Sequence, residues 1–154
     1  MECLFQTTTK YTYEEYKKFN FALLKKRHVI PLLILAEILI LVGGILSQYN
    51  FLIIFAVLYP FIFAWSLFHG IKKVYNSNKV TQDAEIKFEF YEDHFEEKHE
   101  SGNANIAYDK LNEIIETKTN FYLMIAKNQG FMLLKENMPE GLEEFIHHLK
   151  IEKK

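Results

Sequence analysis

The chain has few of the residues that mark familiar chemistry. Cys3 is the only cysteine among 154 residues, which rules out an internal disulfide and leaves the redox compartment unreadable. Arg27 is the only arginine, beside a large excess of lysine. Prolines number three and glycines six. There is no P-loop, no GxGxxG fingerprint and no Ser/His/Asp arrangement in recognisable context. The expectation is therefore a protein that is not an enzyme and uses no cofactor and no metal. High Lys over Arg, with abundant Ile, Phe, Tyr and Asn, is the composition expected of a bacterial, AT-rich genome.

Apolar stretches, by contrast, are long. Residues 29–47 read VIPLLILAEILILVGGILS and residues 51–71 read FLIIFAVLYPFIFAWSLFHGI. As helices rising 1.5 Å per residue they span about 28 and 31 Å, the thickness of a bilayer core. A signal peptide does not fit, because the first run is long, starts late and is followed at once by a second. Helices apolar on every face need a large protein around them, and the rest of the chain is too small to supply it. The reading is a transmembrane helical hairpin over 29–71, integral to the lipid bilayer.

Net charge is −2 overall but is divided unevenly. Residues 1–80 hold nine Lys and Arg against four Asp and Glu, a net +5; residues 81–154 hold nine Lys against sixteen Asp and Glu, a net −7. Lys17, Lys18, Lys25, Lys26 and Arg27 precede the first span, Lys72, Lys73 and Lys79 follow the second, and the connection Gln48-Tyr49-Asn50 is uncharged. The positive-inside rule then places both termini in the cytoplasm of a bacterial cell membrane. Tyr49 and Trp65 are candidates for the interfacial aromatic belts.

Glu37 is the one acid inside the spans, where a charge costs about 2.5–3.5 kcal/mol on insertion scales. Matching depth about the loop places it near Phe61. One reading is a protonated Glu37 hydrogen-bonded inside the hairpin, to Tyr59 or to the Ala56 carbonyl that Pro60 strands. A second is contact with a partner or another copy. A third is proton or solute handling in an oligomer. Glu37, Tyr59 and Pro60 are the candidate intramembrane functional residues. Gly43 and Ser47 form a small-xxx-small pair beside Gly44, which permits close helix approach.

The flanks divide into residues 1–28 and 81–154. Residues 2–9 are β-prone, and with both termini on one side this strand is able to join a C-terminal sheet. Thr12 and Glu15 fit a capping box. Tyr13, Tyr16, Phe19, Asn20, Leu23 and Leu24 then recur at helical spacing, giving an amphipathic helix that lies either at the lipid interface or on the cytoplasmic domain. Residues 84–91 alternate cleanly, with Ala84, Ile86, Phe88 and Phe90 on one face. Further strands are expected at 94–99, 105–108, 112–117, 121–126 and 131–135. Turns fall at Glu92-Asp93, Ser101-Gly102-Asn103, Thr119-Asn120 and Asn128-Gln129-Gly130. Pro139 and Gly141 open a helix with Leu142, Phe145, Ile146 and Leu149 on one face. The fold class is α+β: the hairpin plus a small antiparallel β domain closed by a C-terminal helix, an order like that of pleckstrin-homology (PH) folds.

FEFYEDHF at 88–95, IAYDKLNEIIETKTNFYLMI at 106–125, GFMLLKENM at 130–138 and LEEFIHHLK at 142–150, following a two-helix hairpin, resemble the YcxB-like bacterial membrane proteins. The resemblance implies two transmembrane helices and a PH-like cytoplasmic domain, and it supplies no catalytic residues. Glu136 after Lys135 departs from the more basic continuation common in such proteins, which weakens anion binding there.

Other constellations are discounted. His94, Glu96 and Lys98 share one strand face and Glu97 and His99 the other, so no convergent metal set forms. His147 and His148 are adjacent on a helix and diverge. A −7 domain repels anionic lipid and nucleic acid, which disfavours phosphoinositides and excludes nucleic acid as the expected partner. A local basic pocket would have to come from Lys110, Lys118 and Lys127. The functional expectation is a non-enzymatic membrane protein whose tail, 81–154, binds a protein partner or another copy as an interaction or regulatory module. The alternative is an oligomeric proton- or solute-handling component using Glu37.

Overall fold

A computed structural model describes residues 2–100 and 102–149. Ser101 of the expected turn and Lys150 of the expected last helix lie outside the described residues. The chain forms two compact units: one from Met1–Phe19 with Asn78–Lys154, the other from Asn20–Ser77.

The first unit carries two antiparallel sheets. One is ordered β1 (Phe5–Lys10), β2 (Glu85–Phe90), β3 (His94–His99), β4 (Gly102–Ala107). The other is ordered β5 (Glu113–Glu116), β6 (Asn120–Ala126), β7 (Gln129–Leu134), and α4 (Leu142–His148) follows it. Strands alternating as cleanly as 84–91 bury one face, and Ile86, Phe88 and Phe90 are fully enclosed. Phe131 stands edge-on to Phe95 at 5.2 Å, and Phe145 of α4 approaches Phe5 at 5.4 Å and Tyr108 at 5.9 Å. These rings join the strands and α4 into one core.

β1 pairs with β2 from Phe5↔Phe90 to Lys10↔Glu85. The N-terminal strand therefore does join the sheet formed by the tail. It also reaches the second sheet. The Met132 N–H donates to the Tyr11 hydroxyl at 2.9 Å, the Leu134 N–H to Thr9 Oγ1 at 3.4 Å, and Thr7 Oγ1 donates to the Asn137 carbonyl at 2.9 Å. Thr7 and Thr9 are buried for this purpose. The open edge of β7 is thus satisfied by side chains from β1 and Tyr11.

The expected single meander is two sheets, and several turns shift. Gly102 and Asn103 are paired strand residues, opposite His99 and Lys98, and Tyr108 begins a single 3-10 turn. Asn120 starts β6. The β6–β7 turn is Lys127-Asn128, since Ala126 pairs with Gln129. Gly130 lies inside β7, where an added Cβ would come within 2.8 Å of the Leu123 carbonyl and 2.7 Å of Met124 Sδ. Close strand approach, and not a turn, is what requires glycine there.

α1 (Tyr13–Lys26) crosses the unit boundary between Phe19 and Asn20. The Glu15 N–H donates to Thr12 Oγ1 at 3.3 Å, as capping predicts. Its buried stripe is Glu15, Phe19 and Leu23, where Tyr13 and Tyr16 were expected. Up to Phe19 the helix packs on the domain, with Phe19 and Tyr122 rings 5.3 Å apart.

In the second unit α2 (Val29–Leu46) and α3 (Asn50–Ser77) are both long and apolar enough to cross a membrane. Their connection is Ser47-Gln48-Tyr49, because Asn50 already starts α3. α3 runs six residues past the end of the apolar run, to Ser77. Lys72, Lys73 and Tyr75 change polarity without breaking a helix. Pro60 sits inside it. The close approach of the two helices falls on Gly44, not on the Gly43/Ser47 pair. A Cβ on Gly44 would lie 3.0 Å from Ile53 Cγ1 and Leu52 Cβ, whereas Gly43 faces open space and Ser47 Oγ donates to the Gly43 carbonyl at 2.6 Å.

Candidate functional site

Within the hairpin, Glu37 of α2 and Tyr59 and Pro60 of α3 line one cavity of about 270 Å³. Equal rise per residue on either side of the loop brings them to one level. The other lining side chains, among them Leu33, Ile34 and Phe63, are apolar. The expected internal hydrogen bond does not form: Glu37 Oε1 is buried with no hydrogen-bond partner among the described residues. Tyr59 is held elsewhere, its ring stacked on Phe55 at 5.4 Å and beside Phe63 at 6.2 Å, one turn away on either side. An unsatisfied buried polar atom of this kind costs about 1–3 kcal/mol.

In the first unit the charged groups engage one another. On the outer face of β2 and β3, Glu89 accepts from Lys98 at 2.6 Å, Lys87 at 2.9 Å, Tyr91 at 2.9 Å and Gln6 at 3.0 Å. The hydrogen bonds from Lys98 and Lys87 pull its carboxyl down from 4.5 to about 2. Lys98 also reaches Glu96 at 2.9 Å. A second cluster joins β5, the turn just after β7, and α4. Lys135 donates to Glu116 at 2.5 Å and to Glu143 at 2.7 Å, and Glu116 also pairs with His147 at 3.0 Å. Lys135 holds the Glu116 carboxyl below its usual range. Glu116, Glu143 and His147 have the spacing of metal ligands, but the Lys135 ammonium already binds both carboxylates. Sequence spacing had no means of finding this group, since 116, 135 and 143 meet only through the fold.

Lys118 and Lys127 stand beyond opposite ends of β6, a strand whose seven residues span about 20 Å. The basic pocket with Lys110 does not assemble. A recess of about 720 Å³ that sequence reasoning missed sets Lys10 and Lys79 beside Asp83, Glu85 and Glu100, a mixed-charge surface.

A buried polar link ties α1 to β6. Asn120, fully enclosed, donates from Nδ2 to Glu15 Oε2 at 2.7 Å, and Lys18 donates to Glu15 Oε1 at 2.6 Å. Thr119 Oγ1 holds the Asn120 side-chain oxygen, which orients the amide.

No curated protein and no solved structure gives a significant match to this chain. The sequence pattern of the YcxB-like proteins matches residues 90–149, the last residue of β2 through α4. The resemblance read from FEFYEDHF onward thus holds, and the tail of this chain carries the YcxB-like pattern.

Proposed function

We propose that this protein is a non-enzymatic, two-span integral membrane protein of bacteria. Its sheet-bearing unit would work in the cytoplasm as a PH-like interaction or regulatory module. The observation that carries the reading is the pairing of β1 with β2. β1 precedes the hairpin and β2 follows it, so a hairpin that crosses a bilayer returns both strands to one side. The basic residues flanking α2 and α3 favour the cytoplasm as that side. The hairpin is then an insertion in a domain, and it holds that domain at the membrane.

Engagement of the clustered carboxylates by lysine and histidine favours a binding role over catalysis. The acidic balance of the tail favours a protein partner, or another copy, over anionic lipid or nucleic acid. Recovery of the full-length protein in mild detergent tests this. A reproducible partner or stable self-association is expected; finding neither sinks the interaction module.

A second reading is favoured by one observation, the unpartnered Glu37 Oε1 in its apolar cavity. An oligomer that handles protons or a small solute through Glu37 would show flux in proteoliposomes that Glu37→Gln abolishes. Equal flux in the variant removes that reading.

A further inference from the structure

The two sheets present four edges: β1, β4, β5 and β7. An unprotected edge is a row of free N–H and C=O groups, and proteins blunt such rows with charge, proline, bulges, short strands or cover. Three of the four edges here are managed. The β7 edge is met by Thr9 of β1 and by Tyr11 just after it, and Thr7 of β1 reaches Asn137 in the turn that follows β7. β5 is four residues long and carries Glu113 and Glu116 at its ends.

β4 has none of these devices. Its sequence is Gly-Asn-Ala-Asn-Ile-Ala, with no charge and no proline. It runs six residues, in unbroken register with β3 from His99↔Gly102 to His94↔Ala107. Gly102, Asn103, Ala104 and Asn105 are exposed. Among the described residues no strand pairs with its outer edge.

We infer that this edge is a self-pairing site, where β4 of a second copy adds antiparallel to make one continuous eight-stranded sheet. This rests on the reading of the unit as an interaction module and names its surface. A second copy suits the edge better than a foreign strand for two reasons. First, the segment is uncharged in a tail of net −7, so a two-fold pairing sets no like charges opposite each other. The charged strand β3 of each copy stands three strand spacings from its twin, about 14 Å, beyond the screening length of about 8 Å at physiological salt. Secondly, both copies would be held in one membrane plane by their hairpins, which raises their effective concentration.

Symmetry restricts the register. Residues opposite each other in a sheet must point to the same face, so a two-fold axis normal to the sheet places a residue opposite itself. The centre of a six-residue strand allows Ala104 or Asn105. With Asn105 central, Ala104 meets Ile106 of the second copy; with Ala104 central, Asn103 meets Asn105 of the second copy. Asn103 and Asn105 share the outer face with Lys98 and Glu96, their partners on β3.

Cross-linking of the full-length protein in membranes tests the inference. In a Cys3→Ser background, Ala104→Cys and Asn105→Cys are oxidised separately, with exposed Glu140→Cys as control. One of the two β4 positions is expected to form disulfide dimers at least tenfold faster than position 140. Asn105→Glu and Asn105→Lys should each lower the dimer fraction at least tenfold, and an equimolar mixture should restore it. Unchanged melting temperatures would show that the charged variants are folded. Equal rates at all three positions, or no dimer at either β4 position, overturns self-pairing. If dimers fail but another protein is reproducibly recovered, self-pairing falls and the interaction module stands. If neither is found, both fall.

Discussion

Asn120→Ala should be among the most damaging single substitutions in the sheet-bearing unit. Asn120 is fully enclosed and gives Glu15 its buried donor at 2.7 Å. Removing the amide leaves a nearly buried carboxylate with Lys18 as its remaining hydrogen-bond donor. A hydrogen bond to a charged group contributes about 1.5–3 kcal/mol net. The hole left by the missing amide adds to the loss, so about 2–3 kcal/mol is expected in all. In a domain of this size each kcal/mol moves the midpoint by roughly 4–8 °C, which gives a Tm lower by roughly 10 °C or more. Near-UV circular dichroism of the full-length protein in detergent reads it, because Phe19 and Tyr122 pack beside the link. Asn120→Asp should be worse at neutral pH, since it sets a second carboxylate against Glu15, and should recover partly as the solution is acidified. A Tm within 2 °C of the parent for Asn120→Ala, or an Asp variant no worse than the Ala variant at pH 7, would refute the role given to this pair.

Three more outcomes are expected. Glu89 titrates at about 2 in the folded chain against an ordinary 4.5. It therefore adds stability above pH 4.5 that disappears as pH falls toward 2. Glu89→Gln should melt lower than the parent at pH 7 and converge with it by pH 2–3 in an acid titration; a constant gap would be wrong for this mechanism. Gly44→Ala should loosen the hairpin, because its Cβ meets Ile53 and Leu52 at 3.0 Å, while Gly43→Ala enters open space and should be neutral. Stability to a denaturing detergent distinguishes the two, and equal effects would contradict the packing. Lys135→Met leaves Glu116 and Glu143 without their shared cation. Partly exposed pairs are each worth up to about 1 kcal/mol, so a Tm loss of a few degrees and faster hydrogen exchange in α4 are expected.

Much of this fold is legible from local pattern. Alternation over 84–91 predicted β2 within a residue at each end, and the β3 bounds match. Depth-matching brought Glu37 level with Tyr59 and Pro60 because both helices rise equally from one loop. What escaped is non-local. Glu15 reads only as a capping residue, yet it lies in the buried stripe of α1, where Asn120, 105 positions away, receives it. Gly130 reads as a turn glycine, but the backbone of β6 dictates it. The Glu37–Tyr59 hydrogen bond failed because Tyr59 is fixed by rings on its own helix. The division of the strands among the described residues into two sheets follows from which faces bury one another, and no single strand encodes that.

In the proposed topology β1 and β2 meet on the cytoplasmic side of a membrane-crossing hairpin. Cys3, free and exposed beside β1, reports one side, and Tyr49→Cys in a Cys3→Ser background reports the α2–α3 connection. Both are labelled in intact cells with a membrane-impermeant maleimide. The account predicts labelling at position 49 at once, and at Cys3 only after the membrane is permeabilised. Labelling of Cys3 in intact cells, with position 49 protected, would contradict it.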